Sequence, residues 1–315
     1  IYFNESIAYY TYLLGSTSYH TIVINNEGTL YGCGVNTYGQ LGLGLEAGTA
    51  NQSTLLPITL GIAGKMAMAL SCGWGHTLVL MSDSTLYGCG NNNNGQLGLG
   101  AGAGTGNQPT LLPITLGIAG KTPVAVSCGG YYTLVLMSDG TLYGCGLNYN
   151  GQLGGLGAGV LGDDQPTLTP IPLEIAGKTP VAVSCGYYHT LVLMDNGEIY
   201  GCGGNNYGQL GQNNTTFSIT TLTPITLGIV GKTPVAVSGG GYHTLVLMSD
   251  GTLYGCGHNY SGQLGLGAGA GDDDQPTLTP ITLGIVGKTP VAVSGGGYHT
   301  LVLMSDGTLY GCGYN

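Results

Sequence analysis

"SCGYYHTLVLMDNGEIYGCGGNNYGQLG", residues 184–211, is the stretch whose reading decides the fold. Cys185, His189 and Cys202 within it invite a zinc or redox interpretation. The same residues also frame two short apolar runs joined by a Gly-containing turn, DNG at 195–197. Runs rich in Val, Leu and Thr around such a turn are the pattern of a β-hairpin. The number of times the stretch recurs separates the two readings.

It recurs along the chain. YGCG stands at 31–34, 87–90, 143–146, 200–203, 254–257 and 310–313, at steps of 56, 56, 57, 54 and 56 residues. GQLG follows at 39–42, 95–98, 151–154, 208–211 and 262–265. A Pro-Ile or Pro-Ile-like element recurs at Pro57, Pro113, Pro170, Pro224 and Pro280, and GKTPVAVS or a variant begins near Gly64, Gly120, Gly177, Gly231 and Gly287. His20, His76, Tyr132, His189, His243 and His299 each precede the Tyr of YGCG by 11 residues. All length variation falls between GQLG and the next Pro-Ile, at about 43–56, 99–112, 155–169, 212–223 and 266–279. A constant scaffold with one variable loop per unit accounts for that distribution.

Each unit reads as β. PVAVS and HTLVLM are too short for helices, SDG or NEG supplies the turn, and TLYGCG is the return strand. PITLG is expected to add a further strand, with Pro at its start where no ladder donor is needed. Three to four strands in about 56 residues make a propeller blade, whose faces are buried by its neighbours. No helix is evident.

The pattern HTLVLMSDGTLYGCGxNxxGQLGLG resembles the repeat of the regulator of chromosome condensation family, a β-propeller usually of seven blades. The resemblance runs from about residue 16 to the end in six copies. The family commonly has Trp where this chain has Cys33, Cys89, Cys145, Cys202, Cys256 and Cys312. The fold expected is therefore all-β, a single propeller domain over 1–315 with six visible repeat units. The hairpin units lie near 16–44, 65–100, 121–157, 178–211, 232–267 and 288–315. Two closures remain open: residues 1–15 complete the sixth blade of a six-bladed ring, or the ring is an incomplete seven-bladed one.

Composition narrows function. Charged residues are 6% of the chain and glycines number 62, yet 43% of residues are hydrophobic in regular runs, which excludes disorder. Net charge is −10. There is no Arg, and Lys65, Lys121, Lys178, Lys232 and Lys288 are spread one per repeat. Nucleic-acid binding needs clustered cations, so no nucleic-acid partner is expected. No apolar run reaches the length of a membrane span, so no membrane insertion is expected.

Three cysteines, Cys72, Cys128 and Cys185, sit in SCG, and later units replace them by Gly239 and Gly295. No CxxC pair exists. Recurrence favours buried structural thiols; disulfides Cys72–Cys89, Cys128–Cys145 and Cys185–Cys202, and a metal role, remain as alternatives. A histidine repeated five times reads as a hydrogen-bonded structural residue, with His258 as the one outside the template. Asp163–Asp164 and Asp272–Asp273–Asp274 read as solvated loop charge rather than a calcium site. N-x-[ST] sequons occur at Asn4, Asn51, Asn213, Asn214 and Asn259. No residue is assigned a catalytic, cofactor-binding or metal-binding role, and no cofactor is expected.

The function expected is that of a non-enzymatic scaffold or protein-interaction propeller, with a protein partner on its loop face. A virion-associated or extracellular surface assembly suits the low charge and near-identical repeats. Guanine-nucleotide exchange on a small GTPase is the alternative that the family resemblance implies. An enzyme-inhibitor or lectin-like binder is the third. Oligomeric state and localisation are open.

Overall fold

The computed structural model describes residues 19–25, 27–59, 64–101, 106–116, 120–156, 164–173, 175, 177–228, 231–267 and 273–314. Residues 1–15, which complete a blade in one of the two closures left open by the sequence, lie outside them, as do Asp163 and Asp272. The described residues form strands and turns without a helix, so no helix is long and apolar enough to cross a membrane.

The chain divides into two compact units, one of residues 1–148 with 162–171, the other of 149–161 with 172–315. Each carries three antiparallel sheets. In the first unit, sheet 1 has strands His20–Ile24, Leu30–Gly34 and Gln52–Ile58. Sheet 2 has Ala67–Cys72, His76–Met81, Leu86–Gly90 and Gln108–Ile114. Sheet 3 has Pro123–Cys128, Tyr132–Met137, Leu142–Gly146 and Gln165–Pro170. In the second unit, sheet 4 has Pro180–Cys185, His189–Met194, Ile199–Gly204 and Ser218–Ile225. Sheet 5 has Pro234–Gly239, His243–Met248, Leu253–Gly257 and Gln275–Ile281. Sheet 6 has Pro290–Gly295, His299–Met304 and Leu309–Gly313. We call the four strand positions a to d, in chain order and in sheet order.

The hairpin of strands b and c falls where the turn chemistry puts it. His76 pairs with Gly90 and Leu80 with Leu86, and the Gly at the turn (Gly140, φ +81°, in sheet 3) takes the left-handed conformation. Strand d differs from expectation. It begins five or six residues ahead of Pro-Ile, at Gln52, Gln108, Gln165, Ser218 and Gln275, so the last part of each predicted loop is strand. In sheet 2 it runs Gln108–Ile114, and Pro113 pairs with Tyr87 near its end. Two prolines are tolerated because strand d is the outer strand of its sheet; among the described residues, beyond it lies only an isolated bridge, Leu43 to Thr110 in sheet 2, where Pro109 is needed as an acceptor, from Gly44 N, and not as a donor.

The cores lie between neighbouring sheets. Leu78, Leu80, Leu86 and Leu97 from sheet 2 and its c–d loop pack against Val135, Met137 and Cys145 of sheet 3. Sheets 5 and 6 repeat the arrangement with Leu245, Leu247, Leu253 and Leu264 against Val302 and Met304.

Within each unit polar links tie neighbouring sheets, 1 to 2 and 2 to 3, 4 to 5 and 5 to 6. His76 Nε2 lies 3.0 Å from Thr133 Oγ1 of sheet 3, and Thr133 donates to the Gln96 carbonyl at 2.8 Å. His20–Thr77–Gln40 and His189–Thr244–Gln209 repeat it. Because the Thr proton goes to the carbonyl, the imidazole must be the donor to Thr, which sets the Nε2–H tautomer. The same carbonyl receives a thiol: Cys145 Sγ lies 3.4 Å from Gln96 O and Cys89 Sγ 3.4 Å from Gln40 O.

These cysteines are thus packing residues with a weak donor role. All nine are free thiols, seven of them buried. Among the described residues no cluster of three or more His, Cys, Asp or Glu is placed to hold a metal. Burial raises the thiol of Cys89 and Cys145 and pushes those of Cys202 and Cys256 up to about 12. A thiolate is the reactive form. Native chain should therefore react with Ellman's reagent at only two thiols, Cys33 and Cys312, and at all nine after denaturation. Fewer than nine in denaturant without reductant would revive the disulfide reading.

Candidate interaction surface

Antiparallel order fixes which loops share an end of a sheet. The a–b and c–d loops lie at one end, and the b–c turn and the d-to-a connection at the other. The two ends have different chemistry.

The b–c end holds every lysine. Lys65, just before strand a, reaches Asp83 in the b–c turn at 2.7 Å, and its Nζ lies 5.7 Å from the Tyr87 ring centroid. Lys121–Asp139, Lys232–Asp250 and Lys288–Asp306 repeat the pair at 2.8, 2.9 and 2.8 Å. The hydrogen bond to Lys65 holds the Asp83 carboxyl down at about 2. Sheet 4 solves the same problem differently. Its turn reads DNGE, with Asn196 where the others have Asp, and Lys178 pairs instead with Glu198, two residues on. The chain's five cations are thus each engaged by a carboxylate, which leaves no free basic patch for a phosphate backbone.

The other end is aromatic. The turn after strand a has two variable positions per repeat, filled by Trp74 and Gly75, Gly130 and Tyr131, Tyr187 and Tyr188, Gly241 and Tyr242, Gly297 and Tyr298. Large and small residues there are complementary. In the second unit Tyr187 lies across Gly241 and Gly297. A Cβ on Gly241 would sit 2.9 Å from its ring, and one on Gly297 3.0 Å from its hydroxyl. In the first unit Gly75 makes room for Tyr38 in the same way, and Trp74 packs 5.2 Å from Tyr131 and 5.9 Å from Tyr38.

In the second unit the rings form a continuous cluster. Tyr242 lies 5.3 Å from both Tyr187 and Tyr207. His258 sits 4.7 Å from Tyr207, 6.1 Å from Tyr298 and 6.4 Å from Tyr260. Its Nδ1 meets Gln263 Nε2 at 2.5 Å, so the one histidine outside the template is fastened within the aromatic cluster. Partial burial, then neighbouring Tyr298, raises the Tyr188 phenol. At the rim Tyr149 and Phe217 are about half exposed and meet edge to face at 6.2 Å, and Tyr260 is 75% exposed.

The acidic loop residues join this end. Asn259 N donates to Asp274 Oδ1 at 3.3 Å, and Asn94 Nδ2 to Asp164 Oδ2 at 2.8 Å, so both carboxylates fasten loops. Asp273 and Asp274 remain exposed. The sequons separate by burial. Asn259 is buried, with its side-chain oxygen held by Leu264 N, whereas Asn213 and Asn214 are exposed.

The family model of the RCC1-like domain matches residues 16–315, nearly the whole chain. The chain belongs to the RCC1-like domain family. Its sheets are accordingly blades of an RCC1-like β-propeller. The regulator of chromosome condensation of Xenopus laevis is 30% identical over 272 residues, covering 83% of this chain and 62% of that protein. The ultraviolet-B receptor UVR8 of Arabidopsis thaliana is 31% identical over 196 residues, covering 61% of this chain and 41% of that protein. This RCC1-like chain therefore spans under two thirds of the length of these relatives. Among solved structures, human WBSCR16 matches with a TM-score of 0.81 at 22% identity, over 96% of this chain and 75% of that one. Yeast RCC1 (Prp20), solved bound to Kap60, matches with a TM-score of 0.79 at 20% identity, over 96% and 69%. At those identities the structures establish the fold alone. A regulator and a light receptor on one RCC1-like scaffold show that the blades do not dictate the activity.

Proposed function

We propose that this RCC1-like chain is a protein-interaction module with no chemistry of its own, and that it docks a partner on the tyrosine-rich end of its second unit. The observation that carries this reading is the cluster Tyr187, Tyr207, Tyr242, His258, Tyr260 and Tyr298, partly open to solvent at the a–b and c–d loops. Tyrosine supplies large, stiff, amphipathic contact area at low entropic cost, which is why it dominates binding loops. The opposite end has its charges already satisfied in pairs.

A photo-crosslinking residue at position 149 or 260 tests it, compared with one at position 250 or 306. Partner crosslinks should come from the first pair of positions. Crosslinks mainly from the second pair would overturn the assignment. Guanine-nucleotide exchange on a small GTPase is the second reading, favoured by the match to the regulator over 83% of the chain. Accelerated nucleotide release from a GTPase by purified chain would establish it in place of simple docking.

A further inference from the structure

We propose that the partner segment taken by this tyrosine-rich end is cationic and arginine-bearing. The inference rests on the docking reading above and names its ligand chemistry.

The argument begins with charge. In the second unit all three lysines, Lys178, Lys232 and Lys288, lie at the b–c end, each bound to a carboxylate. Among the described residues, the only charged side chains at the tyrosine end of that unit are Asp273 and Asp274, both exposed. This end is therefore purely acidic on a chain of net charge −10. It attracts cations and repels phosphate or acidic segments.

The second part is the placement of the rings. Asp274 fastens the backbone of Asn259, so its carboxylate stands beside Tyr260 and the His258 cluster. Tyr260 follows Asn259 directly, and Tyr207, Tyr242 and Tyr298 cluster with His258, which precedes it. A planar guanidinium can stack on a tyrosine face while its fork reaches a neighbouring carboxylate. A lysine ammonium is a compact, strongly hydrated charge and exploits the flat rings less well. A sugar would stack on the rings and donate hydroxyls to the aspartates, but it brings no charge to answer theirs.

Fluorescence anisotropy with short labelled peptides tests this, at physiological salt. The peptides alternate glycine with arginine, with lysine or with glutamate. The arginine peptide should bind about fivefold more tightly than the lysine peptide, and the glutamate peptide not at all. Tyr260→Ala with Tyr298→Ala should weaken arginine-peptide binding about tenfold. Asp273→Asn with Asp274→Asn should weaken it and flatten its salt dependence. Glu27→Gln, an exposed charge change on the first unit, should leave it unaltered. The most exposed ring, Tyr260, is also tested alone, so that loss of folding cannot mimic the result.

Equal binding of arginine and lysine peptides, or binding indifferent to the tyrosine variants, overturns the proposal. So does binding of a glycan array by the same tyrosines in place of the peptide. If the arginine peptide fails while crosslinks from position 260 to a partner persist, the cationic ligand is wrong and the docking surface stands. If both fail, the docking reading falls as well.

Discussion

Lowering the pH from 7.5 to 5 should remove most of the stability of the fold. His20, His76, His189 and His243 are buried, and desolvation brings each down from 6.5 to about 3. Each imidazole donates through Nε2 to a threonine hydroxyl of the next sheet, and Nδ1 of His20 and of His243 meets no hydrogen-bond partner among the described residues. A proton on Nδ1 would bury a charge. The unfolded chain binds these protons readily below pH 6.5, and the native chain does not until about pH 3. More protons on the unfolded state means that stability rises with pH across that window. The contribution is complete above about 6.5 and is lost progressively towards 3. At pH 5 the loss is about 2 kcal/mol per histidine, hence about 8 kcal/mol for the four. Whole domains are held by about 5–15 kcal/mol. The lowered aspartates, such as Asp83 at about 2, act in the same direction only at more acid pH.

Urea unfolding at pH 7.5, 6.5, 5.5 and 5 reads the effect directly. The midpoint should be flat at the top of the range and fall steeply below 6.5. A constant midpoint throughout would show that the buried imidazoles do not control it. The chain supplies its own control variant, because Tyr132 occupies the histidine slot in sheet 3 with no solvent exposure. His76→Tyr should remove about one of the four protons from the linkage.

The second large effect concerns one glycine of GQLG. Gly95 has φ +77°, and a Cβ there would come within 2.3 Å of Pro166 Cα and 2.8 Å of Pro166 Cβ in strand d of the next sheet. Gly95→Ala must bear the left-handed conformation, about 1–2 kcal/mol, and push a backbone that is itself held in a ladder, about 1–3 kcal/mol or more. Gly262 occupies the same repeat position with φ +70° and nothing within 4 Å. Gly262→Ala should carry only the conformational part. Thermal or urea unfolding of the two variants should therefore separate them by several degrees, with Gly95→Ala the weaker or unable to fold. Equal losses would mean that the proline contact relaxes freely.

The b–c hairpin and the free thiol state of the cysteines were legible because they depend on local pattern that recurs along the chain. Strand d was misread by half. Its QPTLTPI run alternates polar and apolar residues, but two prolines suggest a loop until the strand is known to be the outer one. The sheet-to-sheet links were legible only as residue identities. Nothing local says that Gln96 offers its carbonyl, rather than its amide, to Thr133 and Cys145. The aromatic surface lies at positions where the repeats differ, so no consensus displays it. Its signal lies in the disagreements: Trp74 against Gly130, Tyr187 against Gly241. The ring of Tyr187 is permitted by Gly241 and Gly297 in the two following repeats. The odd turn DNGE had a local logic too, since Glu198 restores the anion that Asn196 withdraws.

The histidine–threonine–glutamine link also bears on how such a chain can change in length over evolution. Repeats two, four and five carry all three parts, with His and Gln facing the following repeat and Thr the preceding one, while repeat three has Tyr132 in the histidine slot. A tandem duplication or deletion of one such whole repeat at the DNA level would therefore recreate a valid seam, with donor, acceptor and relay all present. A crossover that fell within a unit would leave a buried histidine facing the wrong residue. The near-identity of the six copies is what unequal recombination between such units would maintain.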